Sequence, residues 1–183
     1  SDITAAGASS LLRLANGGLI LNGGGANISS NLRFGTAAAP QEALVWVSGN
    51  QSADSVISGS VEATDFTKAG AGTLLLSGTA SLMVPSTTSL RNLTIQEGSV
   101  KFDGQSSVPL VGLVNLVVNS TAAAGLDLNG QAITIGGLSG FGRVGNTGAS
   151  SILTVNTGIG QSTTFTGLLT GGIGLTIVGR LLG

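Results

Sequence analysis

Apolar and polar residues alternate along most of the chain in short runs. Leu19/Leu21, Leu93/Ile95, Val100/Phe102, Ile133/Ile135, Leu153/Val155 and Leu175/Ile177 are all i, i+2 pairs. A period of two sends successive side chains to opposite faces of a strand. No window of a dozen residues keeps an i, i+3, i+4 apolar stripe free of Gly or Asn. The runs are punctuated by Asn22-Gly23, Ser58-Gly59, Glu97-Gly98, Asp103-Gly104 and Asn129-Gly130. Gly and Asn tolerate the positive φ that sharp corners require. The pattern therefore predicts many short strands joined by tight turns, and no helix.

The strands recur in order. Leu19-Ile20-Leu21-Asn22-Gly23 returns as Leu126-Asp127-Leu128-Asn129-Gly130, and Phe34-Gly35 as Phe141-Gly142, both offset by 107. Leu44-Val45-Trp46-Val47 returns as Ile152-Leu153-Thr154-Val155, and Val56-Ile57-Ser58-Gly59 as Thr164-Phe165-Thr166-Gly167, offset by 108. Phe66-Thr67 and Gly70 match Leu175-Thr176 and Gly179, offset by 109. The 183 residues divide on this basis into a first copy, 1–107, and an incomplete second, 108–183, within one module. A unit of that length is expected to hold about five coils of roughly 20 residues.

Composition narrows the architecture. Gly supplies 31 residues, and only 3% of the chain is aromatic. A sandwich or closed barrel would also fit short strands, but with hairpins and often a more aromatic core. A parallel β-solenoid fits better, with stacked aliphatics inside and Ser, Thr, Asn and Gly at the corners. Cys and His are absent, which excludes disulfides and zinc sites of the Cys/His type. Seven basic and eight acidic residues, thinly spread, leave no nucleic-acid footprint. The start of the chain, Ser1-Asp2-Ile3-Thr4, does not read as a signal peptide. The longest apolar stretch, Val108 to Val118, is interrupted by Pro109, Gly112 and Asn115. It is about half the ~20 residues of a spanning helix, so no membrane insertion of this segment is expected.

One stretch is more specific. Phe66-Thr67-Lys68-Ala69-Gly70-Ala71-Gly72-Thr73-Leu74-Leu75-Leu76-Ser77-Gly78 resembles the autotransporter-associated β-strand repeat, which reads roughly L-T-K-x-G-x-G-T-L-x-L-x-G. Leu93 to Phe102 is similar to the second half of that repeat, and Leu126 to Gly140 to an L-D-L-N-G element between repeats. The resemblance implies an all-β, right-handed parallel β-helix, exported to a bacterial surface as part of an autotransporter passenger. The second copy departs from the pattern, reading Leu175-Thr176-Ile177-Val178-Gly179-Arg180 without the Lys.

Candidate chemistry is sparse. Gly140-Phe141-Gly142-Arg143-Val144-Gly145 matches GxGxxG, but a dinucleotide site needs a following helix and an acid about 20 residues on. No acid follows Asp127, so the segment is read as a turn. Gly23-Gly24-Gly25 and Gly136-Gly137 lack the Asp of glycine-rich calcium solenoids, and no metal or cofactor is expected. A polysaccharide-acting β-helix enzyme would cluster carboxylates on one face, with Asp54, Glu62, Asp65 and Asp103 as candidates beside Lys68 and Lys101. Solvated surface charge explains the same residues. Trp46 lies between the core positions Val45 and Val47 and is expected to point outward, as a glycan or partner contact or packed under the loop Ala37 to Glu42. Abundant Ser, Thr and Asn predict side-chain ladders between coils.

The expectation is a non-catalytic structural protein of the bacterial cell surface, a stalk or adhesin segment. An extracellular filament assembled head to tail is the first alternative, and the enzyme the second. Neither terminus reads as a polar cap, so open solenoid ends would stack through Ile3, Ile177, Val178, Leu181 and Leu182. Expected partners are further copies of the chain, or a host or matrix surface.

Overall fold

A computed structural model of the chain describes residues 2–4, 6–7, 10–22, 25–49, 53–77, 82–83, 92–103, 114–158 and 162–179. The described residues form strands, turns and bends, with no helix. It follows that no helix among them is long and apolar enough to cross a membrane.

The strands follow one another around successive coils. The first holds β1 (Leu11–Leu14), β2 (Gly18–Leu21) and β3 (Asn27–Ile28). The second holds β4 (Asn31–Phe34), β5 (Ala43–Val47) and β6 (Ser55–Ile57), and the third β7 (Val61–Glu62), β8 (Phe66–Ala69) and β9 (Thr73–Leu76). β10 (Leu82–Met83), β11 (Asn92–Ile95) and β12 (Ser99–Phe102) make the fourth. β13 (Asn115–Val118) and β14 (Leu126–Asp127) follow, then β15 (Ile133–Ile135), β16 (Gly137–Gly140), β17 (Arg143–Thr157) and β18 (Leu168–Gly179).

Every pairing between these strands is parallel, and the chain is a β-solenoid of about six turns. A first sheet runs β1-β4-β7-β10. A second runs β2-β5-β8-β11-β13-β16, and a third begins β3-β6-β9-β12-β14-β17. β17 is long because it turns a corner. Val144 pairs with Leu126 of β14, Leu153 pairs with Ile133 of β15, and the register shifts between Asn146 and Ser151.

The core is a set of ladders. Ala43, Phe66, Leu93, Leu116 and Leu138 stack in register along the second sheet, all buried. Leu74, Val100, Leu126 and Val144 do the same along the third, as do Leu32 and Val61 along the first. Strands such as β4, β5, β8, β9, β11 and β12 alternate in burial, so the period-two pattern of the sequence becomes an inside and an outside. The structure bears out the all-β solenoid of stacked coils.

Coil length follows from the register. Leu19, Val45, Lys68, Ile95, Val118 and Gly140 stack in one column, one residue per coil. The longest step in this column runs from Lys68 to Ile95 and the shortest from Val118 to Gly140. The structural repeat is thus the coil, and every step in this column exceeds the roughly 20 residues expected of such a unit, whereas the step from Leu126 to Val144 on the third sheet falls short of it. Residues matched between the two sequence copies fall on different sheets. Leu19 lies in the second sheet and Leu126 in the third. Phe34 is buried, in phase with Leu32, whereas its counterpart Phe141 follows the corner Gly140 and is exposed.

Candidate functional site

Three features carry side chains with chemistry: the inner corners, the outer face of the second sheet, and the edge of β18.

At the corner between the second and third sheets, Lys68 points inward. Its two-residue spacing from Phe66 puts it in the core column, and its side chain is fully buried. Nζ donates to three backbone carbonyls: Ala69 at 3.1 Å, Gly70 at 2.5 Å and Glu97 of the next coil at 2.9 Å. An ammonium has three N–H groups, so this cage satisfies it with no carboxylate in contact. Burial pushes its pKa down to about 8, partly opposed by the charge of Glu97. One coil on, the buried Ser120 hydroxyl donates to the Gly98 carbonyl at 2.6 Å. Polar side chains thus satisfy corner carbonyls from inside. Gly98 itself sits at φ +65, where a Cβ would lie 2.4 Å from the Gly72 oxygen.

The corner after the third sheet is held by Asp127, Asn129 and Asn146. Asp127 Oδ1 accepts the backbone N–H groups of Asn129 (2.9 Å) and Thr147 (3.0 Å), and Oδ2 accepts the Thr147 hydroxyl at 2.6 Å. Asn129, at φ 47, donates to the Phe102 carbonyl in the coil before. Asn146 accepts from Gly130 N–H and donates to the carbonyls of Ala149 and Gly172. The Leu126-Asp127-Leu128-Asn129-Gly130 element is therefore a corner staple. Its alternation had suggested only a strand and a turn.

The candidate carboxylates are dispersed. Glu62, on the first sheet, pairs with Arg33. Asp65, in the bend just before β8, accepts from Asn92 Nδ2 at 2.7 Å. Lys101 faces Asp127 of the next coil at 4.0 Å and, with Asp54, lines a cavity of about 180 Å³ on the third sheet. Lys68 joins none of these carboxylates. The GxGxxG-like segment is the corner between β16 and β17, as its turn reading expects.

Trp46 points outward, 49% exposed, between the buried Val45 and Val47. It stacks in register between Ile20 and Ala69. The neighbouring outward columns are mixed: Leu44, Thr67, Thr94, Val117 and Ser139 stack in one, and Asn92 faces Asn115 in the other. A cleft of about 690 Å³ opens on these columns and is lined by Asn92, Asn115, Val117, Ser139, Thr163 and Thr164, among others.

At the far end, β18 pairs with β17. Leu175 and Ile177 continue the columns of the buried Leu153 and Val155, yet they are exposed, Ile177 by 64%. Val178 is exposed as well, and Ile3 forms an isolated bridge with Ile28. Leu181 and Leu182 lie outside the described residues.

No protein-family model, curated protein or solved structure matches the chain. The stacked parallel sheets define the class: a parallel β-solenoid built of stacked coils, that is, a β-helix repeat protein.

Proposed function

We propose that the chain is a non-catalytic structural segment of a bacterial cell-surface protein, a β-solenoid stalk of the autotransporter-passenger kind. The observation that carries this reading is where the polar chemistry goes. Lys68, Asp127, Asn146 and Ser120 are turned onto backbone groups at corners, where they bind coil to coil. Such stitching serves a rod that must extend without a thick core. The Phe66 to Gly78 motif supports the passenger assignment.

The test is surface labelling in the organism that encodes the chain. Antibodies raised against it are expected to label intact cells, and external protease to abolish the label. Labelling that needs permeabilised cells overturns the reading.

A second reading, head-to-tail assembly, is favoured by the uncovered Leu175 and Ile177 in register with core residues. An apolar strand edge is a template for another strand. Sizing chromatography and negative-stain imaging are then expected to show rods that lengthen with concentration. A monodisperse monomer at every concentration removes this reading.

A further inference from the structure

We propose that the outward face of the second sheet is a binding strip for a neutral oligosaccharide, seated in the cleft that Asn92 and Asn115 share. The inference rests on the stacking of the described coils, not on export, so a failed surface-labelling experiment leaves it standing.

Shape is the first argument. A cleft of about 690 Å³ lies within the ~300–1,000 Å³ range of ligand sites. It does not stand alone. Asn92 also lines a second cavity of about 400 Å³ with Glu42, Asp65, Thr67 and Thr94. The two run together along the solenoid axis, across rungs ~4.8 Å apart. An extended strip suits a chain of repeating units better than a compact metabolite.

Chemistry is the second. Asn115 and Asn92 each bring an amide with donors and an acceptor, and Ser139, Thr163 and Thr164 bring hydroxyls that do both. Asn92 uses one N–H on Asp65, which leaves its other amide hydrogen and its carbonyl oxygen for a ligand. Val117 adds an apolar patch between them for the C–H face of a sugar ring. Hydroxyl-rich ligands need this mixture of short-range donors, acceptors and apolar floor.

Charge is the third. The outward positions of β5, β8, β11, β13 and β16 carry neither Lys nor Arg. The charged residues lining the two cavities, among those described, are the carboxylates Glu42 and Asp65. Arg91, next to Asn92 in sequence, lies outside the described residues. A uronate, sulfate or phosphate would meet these carboxylates, so the strip selects against anionic polymers.

The end of the cleft is shaped by a glycine. A Cβ on Gly137 would lie 2.6 Å from Thr163 Cγ2 and 3.0 Å from Asn115 Oδ1. Without one, Thr163 closes over the column, and its hydroxyl accepts the Leu138 N–H at 3.3 Å. Towards the other end, Trp46 on the same face offers an exposed ring for stacking.

The experiment is isothermal titration of the full chain with three neutral hexasaccharides (cellohexaose, maltohexaose and chitohexaose) and with a hexagalacturonate. At least one neutral sugar is expected to bind, at least about tenfold more tightly than the galacturonate. Asn115→Ala, at an exposed position, is expected to weaken that binding by about tenfold with an unchanged circular dichroism melt. Asn92→Ala repeats the test one coil earlier. Absence of binding by all three neutral sugars overturns the proposal. So does equal or tighter binding of the galacturonate, or full affinity in both Asn variants.

Discussion

The Lys68 ammonium of one coil donates to the Glu97 backbone carbonyl of the next, 2.9 Å away, from inside the core. A charge is thus held between coils by backbone dipoles alone. It stands in a column with Val45 and Ile95, where an aliphatic residue would be expected. The cage explains how the column tolerates it, because each N–H has a carbonyl.

Removing the ammonium exposes the worth of this cage. Lys68→Ala leaves the buried Gly70 carbonyl and the part-buried Ala69 and Glu97 carbonyls without their donor and opens space in the core column. Hydrogen bonds to charged groups contribute ~1.5–3 kcal/mol each, and a core truncation costs ~2–5 kcal/mol. Relief of the buried charge offsets part of this, and a net loss of about 3 kcal/mol is expected by urea unfolding. A stability equal to the parent would remove the cage from any structural role.

The same group sets a pH dependence with an unusual sign. Burial lowers the folded pKa to about 8 from 10.5. Between those values the unfolded chain keeps a proton that the folded chain has released, so stability rises with pH. The gain is absent below about pH 8 and complete above pH 10.5. Cys and Tyr are absent, and Lys101 is the other lysine, so few groups confuse the window. Urea midpoints measured from neutral to strongly alkaline pH are expected to climb in the parent and stay flatter in Lys68→Met. A midpoint that falls across this window contradicts the assignment.

Two glycines separate corner geometry from mere composition. At Gly98, with φ +65, a Cβ would meet the Gly72 and Gly70 oxygens at 2.4 and 2.5 Å. Gly98→Ala is expected to cost about 2 kcal/mol or more, from strain and clash together. Gly18 has nothing within 4 Å of its Cβ position, and Gly18→Ala is expected to stay within about 0.5 kcal/mol. Thermal melts of the pair provide the check.

Asp127 gives a third test of the corners. Asp127→Ala removes the acceptor of two backbone N–H groups and the Thr147 hydroxyl. These donors are only part-buried, so each lost acceptor costs towards the low end of ~1–3 kcal/mol. A loss of about 3 kcal/mol is expected, with amide exchange accelerated first at Asn129 and Thr147. Uniform acceleration throughout the chain would contradict a local staple.

A matched pair reads the β18 edge. Leu153 and Leu175 are in register, the first buried and the second exposed. Leu153→Ala is expected to destabilise by about 2–5 kcal/mol. Leu175→Ala is expected to be near neutral in the isolated chain and costly only if copies stack there. Comparing the two melts at low and high protein concentration distinguishes a free edge from a covered one.

Trp46 was legible because its neighbours Val45 and Val47 alternate with it in one unbroken strand. Lys68 was equally legible in principle, being in phase with Phe66, but a lysine is rarely assigned to a core. Asp127 was not legible, because the alternation of Leu126-Asp127-Leu128 predicts an outward carboxylate, whereas all three residues are buried at the corner. The Asn92–Asn115 cleft was invisible for another reason: those residues are a whole coil apart in sequence and meet through register alone.

The sequence alone determined that this chain is all-β and coiled. Alternation and glycine corners act over a few residues, so composition and short-range pattern suffice to specify them. Which coil residue lies above which was decided only in three dimensions. The coil from Lys68 to Ile95 is longer than the one from Val118 to Gly140, because corners absorb insertions while strands stay in register. The register of four coils carries Leu19 onto Val118, short of Leu126, and so puts the two matched leucines on different sheets. It also sets Lys68 under the Glu97 carbonyl and Asn92 beside Asn115, contacts made by hydrogen bonding between strands distant in sequence.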